Sequence, residues 1–342
     1  MHKIIYLDQN YISNLAKARA GLIKDSEETI LWRELFDTLK VAVSVDKIVC
    51  PSSNFLRTDA IYDTRLEVSV QEIIDELSLD LQFCHWHDIF ESQIEDAVKL
   101  FFDNRTSKTE GLINIFKSAP KITEQNLVRD VVDAGISTDI SQPEEMAEHE
   151  RKRKEEFVVI GRELNEDCGR KPMDWSRLVQ ESKKSTINGY MGVDAVQQNV
   201  SQMQSDTVLE RMGGYADDAR LSSLFDRLKE SGLDSSDQNT LMKFCNSREL
   251  LNSPFIDIYS SLWAAIAECS RRQGGDIRNS DYYDVPILSM ALPYCDSIAT
   301  DGFMKETIVN LLHFNKKYKA EIFSGSKEDL ITFKKYIDDL VL

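Results

Sequence analysis

Two short apolar runs near opposite ends of the chain stop in the same way. Ile4-Ile5-Tyr6-Leu7 ends at Asp8, and Ser297-Ile298-Ala299-Thr300 ends at Asp301. Runs of this length and composition read as buried strands. An acid at a strand's carboxyl end is where an open parallel sheet places ligand-facing side chains. Any fold for this chain must accommodate both ends in that role.

Other segments fit the same sheet. Lys47-Ile48-Val49-Cys50 is a second short strand closed by Pro51-Ser52-Ser53, with a serine or asparagine cap opening a helix that runs to about Ile74. Leu79-Asp80-Leu81-Gln82-Phe83 alternates strictly and reads as a third strand. Near Pro254 the pattern returns. Phe255, Tyr259, Leu262, Trp263 and Ile266 share a helical face that stops at Gly274-Gly275, and Ser280-Asp281-Tyr282-Tyr283-Asp284 opens another helix, stopped by Pro293. Glu321-Ile322-Phe323 is the last strand, and Leu330 to Leu342 a closing helix. Strands alternating with helices predict a parallel α/β sheet flanked by helices and built from both termini.

Between these parts the character changes. From about Phe90 to Ser253 charge is dense and helical patterns dominate, with a helix start at Ser141-Gln142-Pro143-Glu144-Glu145. The following Glu148-His149-Glu150-Arg151-Lys152-Arg153-Lys154-Glu155-Glu156 reads as a solvated helix face with i,i+4 pairs, or, more sharply, as a basic stripe facing RNA. The expected domains are therefore a discontinuous α/β domain over 1–89 and 254–342 and a large all-helical insertion over 90–253. At 342 residues the chain is longer than one core usually organises.

Composition narrows the function. The net charge of −17 excludes a simple basic-tract nucleic-acid binder, although a cation bound in an acidic site inverts the local charge logic. The six cysteines are scattered and none pair as Cys-x-x-Cys, so they read as reduced core thiols. No apolar run is long enough to span a bilayer, and the first residues turn polar too quickly for a signal peptide. The expectation is a soluble cytoplasmic protein without a membrane partner. Cys84-His85-Trp86-His87-Asp88 places two histidines on one side of an extended segment, without a second cluster to complete a zinc site, so a structural role is expected.

Asp8 alone could simply cap a helix. The case for chemistry comes from the company it keeps. Asp281 and Asp284 lie three apart in the first turn of their helix, hence on one face beside helix-terminal N–H groups. Carboxylates converging on a crevice repel one another unless a divalent cation neutralises them, and oxygen-only ligation selects Mg²⁺ or Mn²⁺. Asp8, Asp281, Asp284 and Asp301 are the expected metal ligands, and phosphodiester hydrolysis the expected chemistry. Asp296, between helix and strand, is either a cap or a substrate-side acid.

Tyr6-Leu7-Asp8-Gln9-Asn10-Tyr11-Ile12, Val49-Cys50-Pro51-Ser52-Ser53, Asp281-Tyr282-Tyr283-Asp284-Val285-Pro286 and the stretch Ala291 to Asp301 together resemble PIN-domain (PIN-like) nucleases. The resemblance covers roughly the first 75 and the last 90 residues and leaves the middle aside. It implies a PIN-like fold and a Mg²⁺- or Mn²⁺-dependent nuclease, most often an endoribonuclease, in a family that includes bacterial toxins and antiphage defence effectors. Carried over residue by residue, it makes Asp8, Asp284 and Asp301 catalytic. For the remaining acid, in the helix after Pro51, this chain offers Asp59, Asp63 and Glu67 at i, i+4, i+8, and Asp59 is the choice by its distance from Pro51.

RNA is the expected substrate, with DNA as the other option. A chain this acidic also suits a basic protein partner such as an antitoxin or regulator, and a homo-oligomer is compatible with it. Two other readings stay open. One is a catalytically weak PIN-like protein that binds RNA or regulates. The other is a phosphohydrolase of the haloacid-dehalogenase kind, which wants Asp-x-Asp after the first strand, where Asn10 stands instead.

Overall fold

The computed structural model of the protein describes residues 2–53, 67–103, 116–118, 174–191, 229–230, 238–273, 278 and 280–342. In chain order its elements are β1 (Lys3–Leu7), α1 (Gln9–Arg19), α2 (Glu27–Ser44), β2 (Ile48–Val49), α3 (Glu67–Ser78), β3 (Leu81–Phe83), α4 (Trp86–Asp103) and β4 (Phe116–Ser118). There follow α5 (Trp175–Met191), α6 (Gln238–Cys245), α7 (Arg248–Leu251), α8 (Pro254–Gln273), α9 (Asp281–Ala291), β5 (Ser297–Ala299) and α10 (Gly302–Glu306). A π-helical turn (Thr307–Leu311), α11 (Phe314–Tyr318), β6 (Glu321–Phe323) and α12 (Lys327–Val341) complete the chain. The fold is mixed α/β and mostly helical. Among the described residues no helix is long and apolar enough to cross a membrane.

The chain divides into two units. The first comprises 1–86, 114–127 and 290–342, and the second 87–113 and 128–289. These boundaries differ from those drawn on sequence pattern at 89/90 and 253/254. The helix over Pro254–Gln273 and the opening turns of α9 go with the second unit, and the segment holding β4 goes with the first.

The first unit carries a four-stranded sheet of order β2-β1-β5-β6, parallel throughout. β1 sits between the strands nearest to it in sequence and those farthest from it, with Ile5, Tyr6 and Leu7 opposite Ser297, Ile298 and Ala299. Ile5, Tyr6, Ile298 and Ala299 are wholly buried, as strands covered on both faces require. Helices flank the sheet: α1 packs on α2 and α3, and α12 packs on α2. An aromatic cluster joins these layers. The Tyr11 ring meets Trp32 edge-on at 4.9 Å and Phe333 at 6.0 Å, while Phe333 stacks on Phe323 at 4.6 Å.

Two expectations need correction here. The third strand starts at Leu81 rather than Leu79, because Leu79 and Asp80 both take left-handed backbone (φ 50° and 60°) and make the turn out of α3. The strand also has company within the block expected to be all-helical. β4 pairs antiparallel with β3, Leu81 opposite Ser118 and Phe83 opposite Phe116. A three-residue strand owes its existence to a partner's open edge, which no local pattern displays. β3 also runs beside the end of β2, where Phe83 N–H donates to the Ser52 carbonyl at 2.9 Å and Ser52 N–H to that of Leu81 at 3.0 Å. The helix start at Ser141 and the charged run 148–156 lie outside the described residues, as does Gly274-Gly275.

In the second unit α5 packs on α8 through polar contacts within an apolar interface. Ser182 Oγ donates to the Ser260 carbonyl at 2.9 Å, Thr186 and Ser260 hydroxyls meet at 2.9 Å, and Lys183 pairs with Asp257 in the interior. α4 joins them where Phe255 N–H donates to Gln93 Oε1 at 2.7 Å. Lys183→Ala, which removes the ammonium facing Asp257, should lower the unfolding free energy by roughly 3–5 kcal/mol. The pair replacement Lys183→Met with Asp257→Leu should cost clearly less, and urea denaturation followed by tryptophan fluorescence measures both.

Candidate functional site

The strand order defines a crevice. From β1 the chain passes to β2 on one side, and from β5 to β6 on the other, so the carboxyl ends of β1 and β5 flank the topological switch point of the sheet. Asp8 and Asp301 stand there. Asp8 N–H donates to the Ala299 carbonyl at 2.9 Å, prolonging the β1–β5 ladder to the aspartate itself, and Thr300 N–H donates to the Phe323 carbonyl at 2.9 Å. With one residue of offset along strands spaced about 4.8 Å apart, the two acids lie roughly 6 Å apart in backbone position.

Each acid also opens a helix. Asp8 has extended backbone (φ −74°, ψ 174°) and its Oδ1 accepts from Tyr11 N–H at 3.0 Å, capping α1. Asp301 repeats the geometry (φ −72°, ψ 165°), its Oδ1 accepting from Met304 N–H at 2.8 Å to cap α10. The capping reading of Asp8 is therefore correct as far as it goes. It does not account for the environment. Asp8 is buried, and burial pushes its carboxyl up to about 7; the N–H groups of Tyr11 and Asn10 and the Thr300 hydroxyl pull it down, and the charge of Asp301 adds a further push upward.

Beside this pair lies a chain of contacts that the sequence does not announce. The buried Tyr11 hydroxyl donates to the Ser324 carbonyl at the end of β6 at 2.5 Å, and its phenol is held protonated well above the usual range by burial and by the charges of Asp8 and Asp329. Ser324 donates to Asp329 Oδ2 through its N–H at 2.7 Å and through its hydroxyl. Lys305 Nζ, on α10, reaches both Asp329 oxygens at 2.6 Å. Burial would raise the Asp329 carboxyl, but the Lys305 and Ser324 hydrogen bonds outweigh it and hold it below its ordinary value. The one sequence signal for Asp329 is the spacing Ser326-x-x-Asp329, a capping-box pattern, and Asp329 N–H does bond Ser326 Oγ at 3.3 Å.

Asp281 is buried, with Arg278 Nη2 and Nε on Oδ1 at 2.7 and 3.1 Å and Arg278 N–H on Oδ2 at 3.0 Å. Both of its oxygens thus serve an internal clamp at the start of α9. Asp284 is half-buried in the same first turn, and both acids belong to the second unit, whereas Asp8 and Asp301 belong to the first. Asp59 and Asp63 lie outside the described residues, and Glu67 begins α3. Asp296 is a tie at the other edge of the sheet, accepting from Ile4 N–H at 2.9 Å and pairing with Lys3 at 2.6 Å. The histidine run is not extended: α4 begins at Trp86, and the buried His85 precedes it.

Among the described residues no group of three or more histidine, cysteine or acidic side chains is arranged to hold a metal ion. The donors that do meet at the switch point, two carboxylates and a threonine hydroxyl, are all oxygen. Mg²⁺ is commonly held by one or two carboxylates with water completing its shell, so this donor set fits a hard divalent cation. No protein-family model matches the chain, and no curated protein or solved structure matches it either.

The pH dependence of stability follows from the burial of Asp8. Between about pH 4 and 7 the folded state keeps a proton that the unfolded chain has released, so stability should fall as pH rises across that window, by at most about 1.4 kcal/mol per pH unit. Asp8→Asn, which retains the cap, should remove this slope and be at least as stable as the wild type at pH 8. Urea midpoints across the window check it, and an unchanged slope in the variant would show that another group carries it.

Proposed function

We propose that this chain is a metal-dependent nuclease of the PIN-like kind, hydrolysing phosphodiester bonds in RNA or, less favoured, DNA. One observation carries the reading: two aspartates from segments nearly 300 residues apart end adjacent parallel strands at the switch point of the sheet. The side chains that would hold Mg²⁺ or Mn²⁺ are Asp8 and Asp301, with one of Asp59, Asp63 or Glu67, of the same unit, as a further acid. When bound, such an ion supplies a hydrolytic water of lowered pKa and offsets charge developing on the phosphate.

The chain's own residues set the conditions for this. Asp8 is rigidly placed by its ladder hydrogen bond and its cap, and its carboxyl, sharing a buried crevice with Asp301, gains from any cation that favours the ionised form. Tyr11 ties the floor of the crevice to the end of β6, so the strand ends cannot splay.

A second reading, RNA binding without cleavage, has one observation in its favour. Both carboxylates already serve as helix caps, and no third acid joins them among the described residues. The two readings part in a cleavage assay on single-stranded RNA and DNA, with Mg²⁺ or Mn²⁺ against EDTA. The nuclease reading expects metal-dependent cleavage that falls roughly a hundredfold or more in Asp8→Asn and in Asp301→Asn, as loss of an ion-holding oxygen requires. Its thermal counterpart is a Mg²⁺-induced rise in Tm present in the wild type and absent from both variants. Wild-type cleavage by both variants would reject this acid pair as the catalytic site.

A further inference from the structure

We infer that Tyr11, Ser324, Asp329 and Lys305 are positioning residues that fix the spacing of Asp8 and Asp301 and so confine the pair to a small divalent cation, Mg²⁺ or Mn²⁺ rather than Ca²⁺. The inference rests on the metal-dependent reading above. The four residues close a hydrogen-bonded ring around the acid pair. Asp8 Oδ1 accepts from the Tyr11 N–H at 3.0 Å, and the Tyr11 hydroxyl donates to the Ser324 carbonyl at 2.5 Å. Ser324 donates to Asp329 through its N–H at 2.7 Å and through its hydroxyl. Lys305 Nζ donates to both Asp329 oxygens at 2.6 Å. Lys305 N–H in turn donates to the Asp301 carbonyl at 3.0 Å, and Met304 N–H to Asp301 Oδ1 at 2.8 Å. On the sheet side, Asp8 N–H on the Ala299 carbonyl completes the ring. Every member belongs to the first unit.

The ring joins α1, the end of β6, α12 and α10, so each acid is tied twice, once through the β1–β5 ladder and once through side chains. Two of its members occupy matching places. Tyr11 stands three residues after Asp8 and Lys305 four after Asp301, one turn into the helix that each acid caps. Ser324 and Asp329 connect them. The Tyr11 ring is itself clamped, meeting Trp32 edge-on at 4.9 Å and Phe333 at 6.0 Å. Apolar contacts already hold these layers together, since Phe323 stacks on Phe333 at 4.6 Å and α12 packs along α2. A polar chain adds little net stability over an apolar one, because its groups exchange hydrogen bonds with water for internal ones. What it adds is direction.

Direction matters because the ions differ in what they require. Mg²⁺ needs near-octahedral geometry with oxygens at about 2.0–2.1 Å, which suits carboxylates that cannot move apart. Ca²⁺ takes more oxygens at about 2.3–2.6 Å and gains from a site that can open. Rigidity therefore selects between them, and groups one step removed from the ligands supply it.

The test reads cation binding rather than turnover. Melting temperatures of the metal-free chain, titrated with Mg²⁺, Mn²⁺ or Ca²⁺, give an apparent Kd for each ion. The wild type should bind Mg²⁺ and Mn²⁺ more tightly than Ca²⁺. Tyr11→Phe keeps the clamped ring and removes the hydroxyl, and Asp329→Asn keeps the shape and removes the charge facing Lys305. Each should weaken Mg²⁺ and Mn²⁺ binding about tenfold or more while leaving Ca²⁺ binding nearly unchanged, so the preference for the smaller ions is lost. Because either change opens the same ring, the double variant should lose no more than the larger single change does. Ile337→Val, a buried substitution on α12 outside the ring, controls for lowered stability: its Tm should drop with the ion preference intact. Wild-type ion preference in both ring variants, equal loss of it in the control, or Ca²⁺ bound by the wild type as tightly as Mg²⁺ would overturn the proposal and leave the metal-dependent reading standing. A wild-type Tm that responds to none of these ions would overturn both.

Discussion

The pairing of β1 with β5 is the contact on which the first unit depends. Leu7 lies opposite Ala299, and the Asp8 N–H continues the ladder by donating to the Ala299 carbonyl. Closing so long a loop costs conformational entropy, but that cost grows only logarithmically with length, so burial of a few apolar strand residues can outweigh it. The pairing does more than complete a sheet. It creates the switch point and determines that two aspartates distant in sequence end side by side.

That juxtaposition sets a structural need against a chemical one. A strand that turns straight into a helix needs a cap, and aspartate supplies one at both turns. Capping alone would be met as well by asparagine or serine, and would carry no penalty of like charge. Here the two caps face one crevice, one of them buried, and the fold tolerates a carboxyl whose ionised form is disfavoured. Local destabilisation of this sort marks functional sites often enough to be a pointer, although helix caps and ion-pair networks perturb carboxyls too. The Asp329–Lys305–Ser324 set nearby is the contrasting case: its charges are compensated within the fold, so it holds α12 and α10 to the end of β6.

Charge distribution follows the same division. The chain is strongly acidic as a whole, yet residues 307–320, in the later part of the β5–β6 connection, contain no acid.

Much of the sheet was legible in the sequence because buried strands are short apolar runs, and those at Ile4–Leu7, Ile48–Val49, Ser297–Ala299 and Glu321–Phe323 stand out against a charged chain. The acids at their ends were legible too, since a strand-terminal aspartate is a local pattern. What local pattern could not supply was partnership. β4 exists through the edge of β3; Asp281 is committed to Arg278, three residues away but reached only through the turn they share; Tyr11, Ser324, Asp329 and Lys305 meet across three separate segments. Likewise, the sequence left Asp296 as either a cap or a substrate-side acid, and only the pairing of β5 with β1 shows it tied to Ile4 and Lys3. Sequence alone determined which residues could bury and which could carry charge. Tertiary structure decided which of them face each other, because hydrogen bonding and burial act between chain segments whose separation in sequence conveys nothing of their distance in space.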